Sequence, residues 1–185
     1  FLFMSAAFLS STIRQSLTKV VFRRTMVLKA GDALPSAQVM VNDVSNLQDI
    51  RAVFKGKKGI LVGVVAAFTP TCQNTQMPSF KDQLDAIKSK GVDTVACISV
   101  NDAFVMKAWA ESMGISVEKI PMIADYKGEF AKNADLELDT AAILGNTRSK
   151  RFLMLIENDK VAKIAVEEDS SQSTVTMAKN ALEWL

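Results

Sequence analysis

Cys72 and Cys97 are the only two thiols in a chain of 185 residues that contains no histidine. The missing imidazole removes Cys-His and Ser-His-Asp catalysis, His-ligated zinc and any histidine general base. Two cysteines cannot build a disulfide-stapled scaffold or a Cys-rich metal site, and such sparing use points to a reducing compartment. Cys72 closes the run Thr69-Pro70-Thr71-Cys72. A disulfide oxidoreductase would carry a second cysteine where Thr69 stands, within reach of the first. A hydroxyl there cannot exchange disulfides, but it can hydrogen-bond a thiolate or an oxygen held beside it. The target of Cys72 is therefore expected to be something other than a protein disulfide. Its activation must come from the backbone, a hydroxyl or an arginine.

The flanking pattern places this cysteine well. Residues 59–65 (Gly-Ile-Leu-Val-Gly-Val-Val) read as a strand buried on both faces, and from Met77 apolar residues recur at helical spacing through Phe80, Leu84 and Ile87. Cys72 thus falls at a strand-to-helix turn, where unpaired N–H groups and the positive end of the helix dipole favour a thiolate. Pro78 is expected to break or kink that helix, and Lys90-Gly91 to end it. A second strand follows over 92–100, holding Cys97. A helix capped by Asn101 then carries Val105, Trp109 and Met113 on one face. Residues 121–125 read as a short strand, 126–146 as loop and short helix, and 152–156 and 161–166 as strands around the turn Asn158-Asp159. Val175, Ala178, Leu182 and Leu185 give a closing helix its apolar face. Upstream, residues 31–35 read as an extended lead-in, Val39, Val41 and Val44 as local pairing, and 46–54 as a short helix. This order predicts an α/β, thioredoxin-like fold with a central mixed sheet flanked by helices, parallel strands first and an antiparallel pair near the end.

Composition bounds the remainder. With 49% hydrophobic residues, one domain over 27–185 can bury a single core. The net charge of +2 averages two unlike regions. Residues 1–26 carry Arg14, Lys19, Arg23 and Arg24, many Ser and Thr, and no acid, the composition of a mitochondrial transit segment. The alternative is a basic tail. Met26 could start a shorter, cytosolic form. Beyond residue 31 the acidic side chains outnumber the basic ones, so neither a nucleic-acid face nor a membrane span is expected. Arg151 taken alone reads as an ordinary surface charge.

Four stretches carry a resemblance to a known family. They are Gly31-Asp32-Ala33-Leu34-Pro35; Ala67-Phe68-Thr69-Pro70-Thr71-Cys72 with Pro78 and Phe80 beyond it; Cys97-Ile98-Ser99-Val100-Asn101-Asp102-Ala103-Phe104-Val105-Met106; and Gly145 through Phe152, including Arg148 and Arg151. Together they resemble the type II, or peroxiredoxin-5, class of peroxiredoxins from residue 27 nearly to the end.

The resemblance implies that Cys72 is the peroxidatic nucleophile, that Thr69 contacts peroxide and thiolate, and that Arg151 completes the site, with Phe68, Pro70 and Thr71 around the substrate and Arg148 peripheral. It implies reduction of hydrogen peroxide and alkyl hydroperoxides through a sulfenic acid on Cys72. Thioredoxin, glutaredoxin or glutathione would act as reductant, in a homodimer formed near the active-site loop, and no cofactor or metal is expected. Cys97 stands where some members keep a resolving cysteine; its apolar neighbours equally suit an inert packing thiol. Val175 occupies about the place of another resolving cysteine, which favours a one-cysteine cycle. Val65-Ala66 replaces the family's usual Pro-Gly. Gln76 replaces a common histidine, a change expected to remove a polar neighbour of the site. A redox-sensing protein with little turnover is the alternative reading.

Overall fold

The computed structural model describes residues 28–185; the transit-segment expectation and Met26 lie outside the described residues. Strands β1 (Gln38–Val41), β2 (Leu47–Asp49), β3 (Gly59–Gly63), β4 (Thr94–Ser99), β5 (Met122–Ala124), β8 (Phe152–Glu157) and β9 (Lys160–Val166) form one sheet in the order β2-β1-β5-β4-β3-β8-β9. The β3-β4 and β4-β5 pairs are parallel, whereas β8 runs antiparallel to both β3 and β9. That is the mixed sheet anticipated from the strand and helix order.

Alternation along the central strands divides the core in two. Ile60 and Val62 of β3, Val95 and Cys97 of β4, and Leu153 and Leu155 of β8 face one layer. That layer includes Met77 and Phe80 of α2 (Met77–Asp82), Leu84 and Ile87 of α3 (Leu84–Ser89), Trp109 of α4 (Ala103–Ser112), and Ala178 and Ala181 of α7 (Ala178–Trp184). Leu61, Ala96 and Met154 face the other, against Phe54 of α1 (Ile50–Phe54) and Phe130 of α5 (Glu129–Asn133). Such strands, apolar on both faces, are what a sheet covered on both sides requires.

Several local expectations change. Pro78 sits in the first turn of α2, where its missing N–H costs nothing; the helix is interrupted later, at Gln83, with φ −107° and ψ 12°. Ahead of α2 lies one π-helical turn, Cys72–Gln76, in which the Met77 N–H reaches the Cys72 carbonyl. Asp102, not Asn101, caps α4 by accepting from the Val105 N–H. Asn101 instead accepts from the Ala67 N–H at 3.0 Å and from the Ser99 hydroxyl at 2.8 Å, bracing the loop that leads to Cys72. The 46–54 segment begins as β2 before α1, and Val175 is 42% exposed, ahead of α7. Within 126–146 and just beyond, β6 (Glu137–Asp139) and β7 (Thr147–Ser149) pair around α6 (Ala141–Leu144).

Gly63 closes β3 with no side chain of its own. It faces Phe152 across the β3-β8 pair, and a Cβ there would lie 2.0 Å from the phenylalanine ring. Glycine leaves to the ring the space that a Cβ would take. The close fit fixes the start of β8 against the end of β3.

Candidate active site

Because β8 runs antiparallel to β3, the residue that precedes β8 stands beside the end of β3, from which the chain turns to Cys72. That residue is Arg151. Its Nη1 donates to Cys72 Sγ at 3.2 Å across 79 residues of sequence. Both groups are interior: Cys72 is 0% and Arg151 2% exposed. A buried cation without partners would be prohibitive, and the structure supplies them densely. The Ser170 carbonyl accepts from Nε at 3.2 Å and Nη2 at 2.9 Å, and Gln76 Oε1 accepts from Nη1 at 2.5 Å. The Arg151 backbone is pinned as well, its N–H to Ser170 Oγ and its carbonyl to the Glu167 N–H. Of five guanidinium N–H bonds, one on Nη2 is left over.

Arg151 and Thr69 line an open groove of about 870 Å³ with Pro70 and Thr71, an apolar wall from Leu138, Ile143, Leu144 and Val166, and a polar rim including Lys150, Glu168 and Asp169. Cys72 lies buried beside them. The Thr69 hydroxyl donates to the Ala66 carbonyl at 2.8 Å. Its proton is thereby engaged while its oxygen can still accept. The Thr71 hydroxyl donates to the Ser171 carbonyl at 2.8 Å, tying the cysteine loop to the segment after β9. Phe68 is not part of the groove lining. It is half exposed with φ 63°, a left-handed conformation that strains a residue bearing a Cβ. Arg148 stays peripheral to Cys72 and donates from Nη1 to the Val100 carbonyl.

Cys97 occupies the middle of β4, paired with Val62 on one side and Met122 on the other. It faces the same apolar layer as Cys72 and is fully buried. Burial, and secondarily the charge of Cys72, pushes its thiol well above the usual 9.0. Such a thiol is a poor nucleophile.

Sequence reasoning missed the support beneath the arginine. Gln76, fully buried, is itself the polar neighbour that its replacement of histidine was expected to remove: Oε1 meets Arg151, and Nε2 donates to Thr176 O and Oγ1, both at 3.3 Å. Glu167 in turn collects the N–H groups of Thr174, Val175 and Thr176 and the hydroxyls of Thr174 and Thr176, at 2.6–3.1 Å. Burial alone would raise its carboxyl, but these bonds outweigh burial and hold it below the ordinary 4.5. A lowered value means the stabilisation is complete above pH 4.5 and lost as pH falls through the lowered value. Glu167→Gln is accordingly expected to melt about 2–6 °C below wild type at pH 7. The gap should close as pH is taken below 4.5; calorimetry across pH checks this, and a gap independent of pH would refute it.

Among the described residues there is no cluster of three or more potential metal-ligating side chains, and no helix long and apolar enough to cross a membrane.

Residues 29–182 match the Redoxin family model. The chain is 40% identical over 158 residues to Peroxiredoxin-2C of Oryza sativa, covering 84% of this chain and 96% of that protein. It is 39% identical over 127 residues to "Peroxiredoxin-2F, mitochondrial" of Arabidopsis thaliana, covering 69% of this chain and 63% of that one. Among solved structures, reduced Prx3 of Vibrio vulnificus in complex with H2O2 superposes with a TM-score of 0.79 at 39% identity, over 86% of this chain and all of that one.

Proposed function

The chain belongs to the peroxiredoxin family, in its type II class, and is a thiol peroxidase; from that premise we propose that Cys72 is the peroxidatic thiol, with Thr69 and Arg151 completing its site. The observation that carries the assignment is the 3.2 Å contact between Arg151 Nη1 and Cys72 Sγ in a buried setting. The guanidinium there holds the reacting sulfur in place and can share its remaining Nη2 N–H with the oxygen that departs. The thiolate attacks the nearer peroxide oxygen; an S–O bond forms as the O–O bond breaks. The departing oxygen leaves, once protonated, as water or an alcohol, and Cys72 is left as sulfenic acid. The apolar wall of Leu138, Ile143, Leu144 and Val166 suits the carbon tail of an alkyl hydroperoxide.

In the second half of the cycle an external thiol displaces water from the sulfenic acid, forming a mixed disulfide, and a further thiol releases Cys72. We assign this to thioredoxin, glutaredoxin or glutathione rather than to Cys97, whose burial in β4 withholds it. The test is intact mass after one equivalent of peroxide, with peptide mapping because nine methionines also oxidise. One oxygen on Cys72 is expected, followed by turnover once a reductant system is supplied. Oxygen on methionine alone would sink the Cys72 assignment. Loss of two hydrogens would sink the one-cysteine cycle, and negligible turnover with every reductant would favour the sensing alternative.

Phe68, Phe104 and Ile143, at 50%, 71% and 87% exposure, are apolar surface on segments adjoining the site and suit burial in a homodimer. Sedimentation showing only monomer at micromolar concentration would count against this. Residues 1–26 fit a mitochondrial presequence, in keeping with the name of the Arabidopsis thaliana relative, with a cytosolic form starting at Met26. An import assay with these residues fused to a reporter decides the point, and a reporter left outside the organelle refutes it.

A further inference from the structure

We propose that Gln76 is a positioning residue: a neutral strut, braced at its far end by Thr176, that holds the Arg151 guanidinium on Cys72. The inference rests on the peroxidase reading of Cys72 and goes beyond it. Cys72 and Gln76 stand at the two ends of the π-helical turn, and both reach the same nitrogen, Arg151 Nη1, at 3.2 and 2.5 Å. A guanidinium only donates, so the oxygen of the amide must face it and the amide nitrogen must face away. That nitrogen meets Thr176 O and Oγ1, and Thr176 Oγ1 meets Glu167 Oε1 at 2.9 Å. Gln76 and Thr176 are both fully buried. The amide therefore has one orientation and no water to exchange with, and it sets where the second Nη1 bond can point.

The choice of residue has a chemical consequence. Arg151 is the ionisable group bonded to the Gln76 side chain, and Cys72 meets it only through the nitrogen they share. Its other partners are neutral: Thr176 from the segment before α7, and Ser79 of α2, whose hydroxyl donates to the Gln76 backbone carbonyl. Glu167 acts on it only through Thr176. An imidazole in this position could accept from Arg151 and donate to Thr176 when neutral. Once protonated it would press a second cation against the guanidinium. The amide performs the neutral role at every pH.

The experiment compares second-order peroxide rates of wild type, Gln76→Met and Gln76→His, each as a ratio to wild type from pH 5 to 8, with thermal unfolding as the check on folding. Wild type is measured first: a wild-type protein inert to peroxide overturns the Cys72 reading, whereas an active one leaves the strut alone at stake. Gln76→Met, similar in volume but with only a weak thioether acceptor and no donor, is expected to lose about 10- to 100-fold, since misplacement of a reacting group by about 1 Å costs that order. Gln76→His is expected to return to within about threefold of wild type at pH 8 and to lose that recovery as pH falls, with its inflection below the ordinary histidine value because burial and the adjoining guanidinium both disfavour the imidazolium. A residue needed only for packing would show no rescue and no such inflection. Should Gln76→Met fail to fold, Thr176→Val, which removes only the hydroxyl brace, is expected to lose about three- to tenfold. The proposal is overturned if the folded variants of this set stay within twofold of wild type, or if Gln76→His at pH 8 is no faster than Gln76→Met.

Discussion

Cys72→Ser is expected to bring thiol-dependent peroxide consumption down to the uncatalysed rate while leaving the melting temperature nearly unchanged. The fold should tolerate the change because a hydroxyl is smaller than a thiol and can still accept from Arg151 Nη1. The chemistry should not tolerate it: serine supplies almost no alkoxide near neutral pH, and oxygen has no counterpart to the sulfenic state. With two cysteines in the chain, residual turnover would have to come from Cys97. Cys97 is buried and its thiol is raised well above its usual value. Residual turnover above about one-thousandth of wild type, measured as peroxide loss with a reductant supplied, would mean that the assignment of Cys72 is wrong.

Arg151→Lys is expected to lower the rate of sulfenic acid formation about 10²- to 10³-fold, the usual range for losing a donor aimed at developing charge. Charge is retained in this variant; geometry is not. A single ammonium cannot meet Cys72 Sγ, Gln76 Oε1 and the Ser170 carbonyl from the three directions that the planar fork serves. At least one buried acceptor is left bare, so a fall in melting temperature should accompany the kinetic loss. Stopped-flow measurement with one equivalent of peroxide reads the first effect. A loss of less than tenfold would remove Arg151 from the catalytic assignment.

How far the sequence reached depended on the range over which each feature is encoded. The apolar run of β3 and the helical spacing after Met77 are local patterns, so they located Cys72 and the strand-to-helix turn. The missing histidine and the Thr-x-x-Cys spacing narrowed the chemistry without any structure. Arg151 had no local signal of its own and drew meaning only from the family resemblance, since its contact with Cys72 depends on β8 returning antiparallel beside β3. Gln76 was misjudged for a related reason. Its partners, Arg151 and Thr176, are 75 and 100 residues away, and periodicity within one helix carries no information about them. The cap at Asp102 was misplaced by one residue because Asn101 is an equally good capping type, and only the loop at Ala67 reveals its other use. Strands β6 and β7, three residues each, are too short to produce a readable alternation.

The bracing of Arg151 also imposes an order on the making of the protein. Ser170 and Thr176 both follow β9, the last strand, whereas the thiol is translated about a hundred residues earlier. A nascent chain that has delivered Val166 has the described strands, Cys72 and Gln76, but not yet the Ser170 carbonyl that takes two of the guanidinium bonds or the Thr176 brace behind Gln76. The site is thus completed only by the segment that follows the sheet: a product truncated after Val166 would keep Cys72 and Arg151 but lose the partners that fix their geometry, and with them α7, which covers the same core layer.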